Sequence, residues 1–179
     1  MILEQYANHC YLDHACHRWS VHPLVIVGGS IIDNADWLHL RDDYNVRSVL
    51  NVETEHTDEG KGIPVLSECR VPDDGTPFPF GLVRHAVSFA HVNVGHGPIY
   101  VHCQQGGSRS PAFAYAVLRW VFGMSKQDAL QAVRTGKDDW SQVANYSTPG
   151  PVSSYGHHSY HRSYIDSVDS ALAFDRPWT

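Results

Sequence analysis

Short β-type runs alternate with helical segments between residues 23 and 136, and this alternation determines the fold class. Apolar or alternating runs predict four strands, at residues 23–30, 47–52, 64–71 and 98–103. Apolar residues at helical spacing predict helices at 31–44, 81–94, 108–123 and 125–136. Strands that alternate with helices indicate helical layers on a parallel sheet. For a chain of 179 residues we therefore predict a single α/β domain with a mostly parallel central sheet flanked by helices.

Signals at the segment ends refine this prediction. Asp33 or Asn34 is a suitable N-cap for the first helix, and Ser125 with Asp128 forms a capping-box pattern at the start of the fourth. Residues 145–164 are rich in Ser, Tyr, His and Pro, which predicts an irregular segment. A short terminal helix is expected at 165–174.

Charge and cysteine content limit the function classes. The formal net charge is −6, whereas a protein that binds duplex nucleic acid needs a basic face. No apolar stretch reaches the length of a membrane span, and the start lacks a signal-peptide pattern. We therefore expect a cytoplasmic or nuclear protein, not a secreted one, whose cysteines are reduced thiols. These cysteines are Cys10, Cys16, Cys69 and Cys103.

The segment VHCQQGGSRSP (101–111) lies between a predicted strand and a predicted helix. Main-chain amides in such a loop converge readily on an anion, and the helix N-terminus adds positive potential. Gly106 and Gly107 allow a tight turn and close approach to a ligand, and Arg109 offers a planar fork to two phosphate oxygens. The same positive field favours a thiolate at Cys103. The loop is suited to hold a tetrahedral phosphate above a sulfur nucleophile.

These residues resemble the His-Cys-x5-Arg-Ser/Thr signature of the cysteine-dependent protein tyrosine phosphatases, and GGSRSP is most similar to the dual-specificity branch. The resemblance spans residues 24 to 136 and implies a phosphatase-type phosphate loop between a strand and a helix. It implies that Cys103 attacks phosphorus, that Arg109 stabilises the transition state, that Ser110 helps the sulfur to leave and that His102 supports the loop. The implied phosphate-binding residues are Gln104, Gln105, Gly106, Gly107, Ser108 and Arg109. Gly107 departs from the family, because relatives usually carry an apolar residue there.

The implied reaction needs an acid that protonates the departing alkoxide or phenoxide. The family places an aspartate upstream of the cysteine, and the segment VPDDGTP (71–77) supplies two candidates. Prolines and a glycine predict a loop over residues 72–80. We assign the role to Asp73, directly after Val-Pro, and keep Asp74 as the rival.

The variable loop positions Gln104, Gln105 and Gly107 are all neutral. Phosphatases of this family that act on phosphoinositides tend to carry lysines there, so a phosphorylated protein or peptide is the favoured substrate. We predict a cofactor-independent phosphatase for phosphotyrosine and for phosphoserine or phosphothreonine. The alternatives are a phosphoinositide phosphatase, an RNA 5′-phosphatase, or a phospho-ligand binding module without turnover.

We divide the chain into an N-terminal segment packed on the domain (1–22), a catalytic domain (23–140) and an atypical C-terminal extension (141–179). No metal site is predicted, because the N-terminal cluster lacks the paired spacing of zinc ligands, although zinc is kept as the alternative. That cluster comprises His9, Cys10, His14, Cys16 and His17. Cys69 is expected to face the core, with a regulatory disulfide to Cys103 as the alternative. Residues 157–164 are interpreted as surface.

Overall fold

The strands form one five-stranded sheet in the order β1-β2-β5-β3-β4. The computed structural model describes residues 18–138 and 159–173. The strands are β1 (Arg18–His22), β2 (Val25–Gly28), β3 (Ser48–Asn51), β4 (Leu66–Glu68) and β5 (Ile99–His102). The helices are α1 (Asn34–Asp43), α2 (Phe80–Asn93), α3 (Arg109–Trp120), α4 (Lys126–Asp138) and α5 (Ser159–Ala173), with a 3-10 turn at Val94–His96.

The strands β2, β5, β3 and β4 are parallel to one another, and the edge strand β1 pairs antiparallel with β2. β5 lies at the centre, where His102 is in register with Gly28 of β2 and Asn51 of β3. The carboxyl ends of three strands therefore meet at one point, which is where an open α/β sheet places its ligand site. The predicted α/β domain with a mostly parallel sheet flanked by helices is confirmed.

Most of the core lies on the side of the sheet that α3 covers. Every residue of α3 from Arg109 to Leu118 is buried, because the helix packs between the sheet and the helices α2, α4 and α5. This explains why its sequence is apolar on nearly every side. A smaller cluster under α1, which includes Trp37 and Leu40, covers the opposite face of the sheet.

Several predicted helix ends are confirmed by side-chain contacts. Asp33 is the N-cap of α1, since its carboxylate accepts from the amides of Ala35 at 2.8 Å and Asp36 at 3.1 Å. The Ser125 hydroxyl accepts from the Asp128 amide at 3.1 Å and donates to the Asp128 carboxylate at 2.6 Å.

The expectation for the C-terminal region is partly wrong. Helix α5 begins at Ser159, so the last part of the predicted irregular segment 145–164 is helical. Its polar composition conceals an apolar stripe, because Tyr164, Val168 and Ala171 recur at helical spacing and are all buried. The interpretation of residues 157–164 as surface is likewise wrong at Tyr164, which is fully buried.

No helix among residues 18–138 and 159–173 has the length and apolarity needed to cross a membrane. Of the N-terminal segment, residues 18–22 form the edge strand β1, while the histidines and cysteines considered for zinc lie outside the described residues. In the described part of the chain, no group of three or more His, Cys, Asp or Glu side chains is arranged to hold a metal ion.

Candidate active site

The phosphate loop, residues 103–109, crosses the carboxyl end of the sheet between β5 and α3. Main-chain hydrogen bonds join it to the end of β2 and the residues that follow: the Cys103 amide donates to the Gly28 carbonyl at 3.3 Å, and the Ser30 amide donates to the Gln104 carbonyl at 3.1 Å. Gly106 has a left-handed φ of 72°, and a Cβ there would lie 2.7 Å from the Gly28 carbonyl carbon. Only glycine permits this approach between the loop and the sheet.

Cys103 lies at the base of this loop, with a side chain that is almost fully buried. Its Sγ is 3.3 Å from the Ser110 hydroxyl, which also lies 3.3 Å from the Gly28 carbonyl. The hydroxyl has one proton for these two acceptors. It donates to Gly28 when the sulfur is a thiol, and can turn to donate to the sulfur when the sulfur is a thiolate. Ser110 is therefore placed to respond to the charge on Cys103.

Arg109 is buried beside the loop and held by a carboxylate from the segment after β3. Its two terminal nitrogens donate to the two oxygens of Glu55 at 2.8 and 3.0 Å, and one of them also donates to the Val71 carbonyl at 3.0 Å. Burial opposes the charge on Arg109, but the hydrogen bonds to Glu55 and the attraction to Cys103, Asp73 and Glu55 together outweigh it, and the pKa of the guanidinium is raised. Burial also opposes ionisation of Glu55, yet the hydrogen bond from Arg109 lowers its pKa. Both partners are therefore charged near neutral pH.

Several donors of the phosphate loop have no protein partner. Within the described residues, the main-chain amides of Gln104, Gln105, Gly106 and Ser108 donate to no other protein group. The buried Nε of Arg109 is likewise without a hydrogen bond. Buried or crowded donors normally find acceptors, so a set of free ones beside a cysteine is suited to an anion.

The acid loop, residues 72–79, brings Asp73 against the phosphate loop. The Ser108 hydroxyl lies 2.9 Å from both carboxylate oxygens of Asp73, and Oδ2 of Asp73 is 3.6 Å from Nε of Arg109. Asp74 points elsewhere. Its Oδ1 accepts from the amide and hydroxyl of Thr76 at 2.9 and 2.7 Å, and these hydrogen bonds lower its pKa. The structure thus brings Asp73, and not Asp74, next to the predicted phosphate-binding residues.

Two buried carboxylates face His102 beneath the loop. Nε2 of His102 is 2.6 Å from Oδ2 of Asp58, and Nδ1 is 3.8 Å from Oε1 of Glu53. Asp58 also pairs with Lys61 at 2.8 Å. Burial opposes ionisation of Asp58, but the contacts with His102 and then Lys61 outweigh it and lower its pKa. The hydrogen bond at Nε2 of His102 thus ties the end of β5 to the segment after β3, whereas Nδ1 makes no hydrogen bond with the described residues.

Three of these residues escaped the sequence interpretation. Glu55 and Asp58 lie in residues 53–62, which reads only as a charged loop, although its position directly after a parallel strand is a usable signal for a site residue. Tyr164 contacts Asp73 from a helix more than eighty residues away in the chain, and only its place in an apolar stripe points to it.

Cys69 faces the core as predicted. It is fully buried as a free thiol, and burial raises its pKa to about 11, although a weak contact with Ser67 acts in the opposite direction. A thiol in this environment reacts slowly, which disfavours the alternative of a regulatory disulfide with Cys103.

Solved structures with the same fold cover most of the chain. PTPMT1 in complex with PI(5)P is 18% identical, with a TM-score of 0.63 over 87% of this chain and 97% of that one. Human DUSP28 is 23% identical, with a TM-score of 0.60 over 87% and 95%. A human tyrosine phosphatase-like serine/threonine/tyrosine-interacting protein is 16% identical, with a TM-score of 0.62 over 88% and 96%.

No protein-family model and no curated protein sequence matches the chain. The structural likeness nevertheless shows that the chain has the fold of the cysteine-dependent phosphatases. The family resemblance carried by the Cys103 loop is thereby confirmed at the level of the fold.

Proposed function

We propose that this chain, which has the cysteine-dependent phosphatase fold, hydrolyses phosphate monoesters on proteins through a phosphocysteine at Cys103. One observation carries the proposal. A buried cysteine lies at the base of a loop with free main-chain donors, beside a buried Arg109 and a carboxylate, Asp73, that contacts the same loop. These are the groups that attack at phosphorus requires, gathered at the carboxyl end of a parallel sheet.

In the first step, the thiolate of Cys103 attacks phosphorus opposite the ester oxygen. The S–P bond forms while the P–O bond breaks, and the leaving oxygen takes a proton from Asp73. The loop amides and Arg109 bind the nonbridging oxygens, whose charge they stabilise more strongly in the transition state. The bidentate contact with Glu55 holds the guanidinium plane in place, so little reorganisation is needed.

In the second step, water attacks the phosphocysteine. Asp73, now a carboxylate, accepts a proton from the water as the new P–O bond forms and the S–P bond breaks. The hydroxyl of Ser110, 3.3 Å from the sulfur, donates a hydrogen bond to the departing thiolate. The products are inorganic phosphate and the enzyme with its thiolate restored.

The proposed substrates are phosphotyrosine and phosphoserine or phosphothreonine in proteins. Neutral Gln104 and Gln105 in the phosphate loop support this choice, because a highly charged phosphoinositide headgroup is better bound by cations. PTPMT1 was solved with PI(5)P, so a phosphoinositide is the substrate to test against. We place the reaction in the cytoplasm or nucleus, where thiols stay reduced.

The experiment compares the wild type with Cys103→Ser on four substrates in the presence of a metal chelator. These are an aryl phosphate, a phosphotyrosine peptide, a phosphothreonine peptide and a phosphoinositide. We expect wild-type turnover of the first three, a loss of roughly a thousandfold or more in Cys103→Ser, and retained binding of inorganic phosphate by that variant. Equal turnover by both proteins contradicts the covalent route.

The other outcomes separate the remaining functions. A preference for the phosphoinositide over both peptides contradicts the proposed substrate class while keeping the chemistry. Binding of phosphopeptide without turnover by the wild type identifies a binding module, as the name of the phosphatase-like interacting protein suggests for that neighbour.

A further inference from the structure

Tyr164 of helix α5 contacts the acid loop at its reactive side chain. Its hydroxyl donates to Oδ1 of Asp73 at 3.0 Å and accepts from the Gly75 amide at 3.1 Å. The ring is fully buried and stacks on Phe78, with ring centroids 4.3 Å apart. The hydroxyl is thus held between a main-chain donor and a carboxylate acceptor, and the other acceptor near it, the Pro72 carbonyl, is farther away at 3.5 Å.

Two neighbouring side chains of α5 bind the same loop. The Ser163 hydroxyl donates to the Gly75 carbonyl at 3.2 Å, and the Phe78 amide donates to the Ser167 hydroxyl at 3.2 Å. Ser163 and Tyr164 are consecutive, and each lies about one helical turn before Ser167. The acid loop is therefore attached to α5 at Asp73, Gly75 and Phe78.

The position of α5 is itself set by the helix that begins at the phosphate loop. Asp169 of α5 accepts from the Tyr115 hydroxyl of α3 at 2.6 Å and pairs with Lys126 of α4. Helix α3 starts at Arg109, so one rigid element connects the phosphate-binding residues to the anchor of α5. Through α5 the same element determines where Asp73 lies.

We infer that Tyr164 is a positioning residue for the general acid and that α5 is part of the active site. The inference rests on the proposed function. Because the Tyr164 hydroxyl donates to Oδ1, that oxygen acts as an acceptor, and the proton that passes to the leaving group resides on Oδ2. Oδ2 is also the oxygen that faces Arg109, where the phosphoryl group is bound in the proposed reaction. Burial raises the pKa of Tyr164 to about 12, so the phenol keeps its proton at any assay pH near neutrality.

The test is the substitution Tyr164→Phe, which removes the hydroxyl and keeps the stacked ring. We expect kcat/KM to fall roughly tenfold for an alkyl phosphate, whose leaving group needs a proton, and to stay unchanged for an aryl phosphate with an acidic phenol. The measured quantity is the ratio of the two rates on one protein preparation, so any loss of folded protein cancels.

Ser170→Ala is the matched control, because it also removes a hydroxyl from α5, but one that is exposed and donates to the Asp166 carbonyl of the same helix, at 2.8 Å. It should leave the ratio of the two rates unchanged. In an Asp73→Asn background, Tyr164→Phe should have no further effect on that ratio. Additive effects there, or an equal loss on both substrates, overturn the positioning role. Absence of turnover by the wild type overturns the proposed function as well, and is seen before any tyrosine variant is made.

Discussion

The phosphate loop and the acid loop differ in what holds them. The phosphate loop rests on the strand ends beneath it, through main-chain contacts with Gly28 and Ser30 and through the buried charges around His102. Among the described residues, no main-chain hydrogen bond to a strand end holds residues 72–78 of the acid loop. This loop is fixed by the aromatic stack of Phe78 with Tyr164 and Phe113, and by hydrogen bonds with side chains of α5.

This difference separates two functions of the site. The sheet places the nucleophile, and elements from a distant part of the chain place the acid. Disturbing the helical side should therefore weaken proton transfer while phosphate binding persists. Disturbing the strand ends should weaken phosphate binding and attack together, and the buried Asp58 there contributes a stability that depends on pH.

Among the substitutions that distinguish the acid loop from the phosphate loop, Asp73→Asn is expected to have the largest kinetic effect. The amide keeps the hydrogen bond from Ser108 but carries no transferable proton, so alkyl phosphates should react roughly a thousandfold more slowly. Aryl phosphates with acidic phenols should lose far less. The control is Asp74→Asn, whose carboxylate only caps the turn at Thr76 and whose loss should change both rates little. If the two variants exchange these effects, the acid is Asp74.

A smaller loss is expected from Gly106→Ala, on the phosphate-loop side. The added Cβ meets the main chain of Gly28 at 2.7 Å in a left-handed conformation, so the loop must shift away from β2. A displacement of this kind should reduce kcat/KM about a hundredfold on alkyl and aryl phosphates alike. Inorganic phosphate should also bind more weakly, which can be measured by calorimetry.

Gly123→Ala is the matched control, because Gly123 also has a left-handed φ of 65° but a Cβ there meets nothing within 4 Å. It should lose stability through backbone strain and keep its rates. Equal kinetic losses in the two glycine variants would show that the contact with Gly28 does not position the loop.

The smallest effect concerns the charges beneath His102. The pKa of Asp58 is lower in the folded protein than in the unfolded chain, so its ionised form stabilises the fold. That contribution is complete above the unfolded pKa, about 3.9, and is lost as the pH falls through the lower folded value. Asp58→Asn should therefore reduce the free energy of unfolding by about 2 kcal/mol at pH 7, with the difference shrinking below pH 4.

Urea unfolding of both proteins between pH 3 and pH 7 measures this. Glu59→Gln serves as the control, because the neighbouring Glu59 is exposed and its substitution should give a curve parallel to the wild type. A constant difference between Asp58→Asn and the wild type at all pH values would contradict the role of the Asp58 charge.

The sequence predicted the phosphate loop well because its signals are local. Cys103, Gly106 and Arg109 lie within seven consecutive residues whose spacing already describes a loop between a strand and a helix. The preference for Asp73 over Asp74 rested on one preceding dipeptide, and the structure brings Asp73 to Ser108 by a contact over 35 positions. Glu55 was missed because nothing within residues 53–62 indicates which carboxylate turns towards Arg109.

The sequence by itself determined the α/β class, the order of strands and helices between residues 23 and 136, and the loop that joins a thiol to a guanidinium, whereas it did not predict the strand β1. Each of these depends on residues that are close together in the sequence, so residue types and the period of the apolar residues are enough to predict it. Only the tertiary structure decided that Glu55 clamps Arg109 and that Tyr164 reaches Asp73. Those pairs form because strand ends converge and α5 packs against α3, and a contact between distant segments depends on packing that no short stretch of sequence encodes.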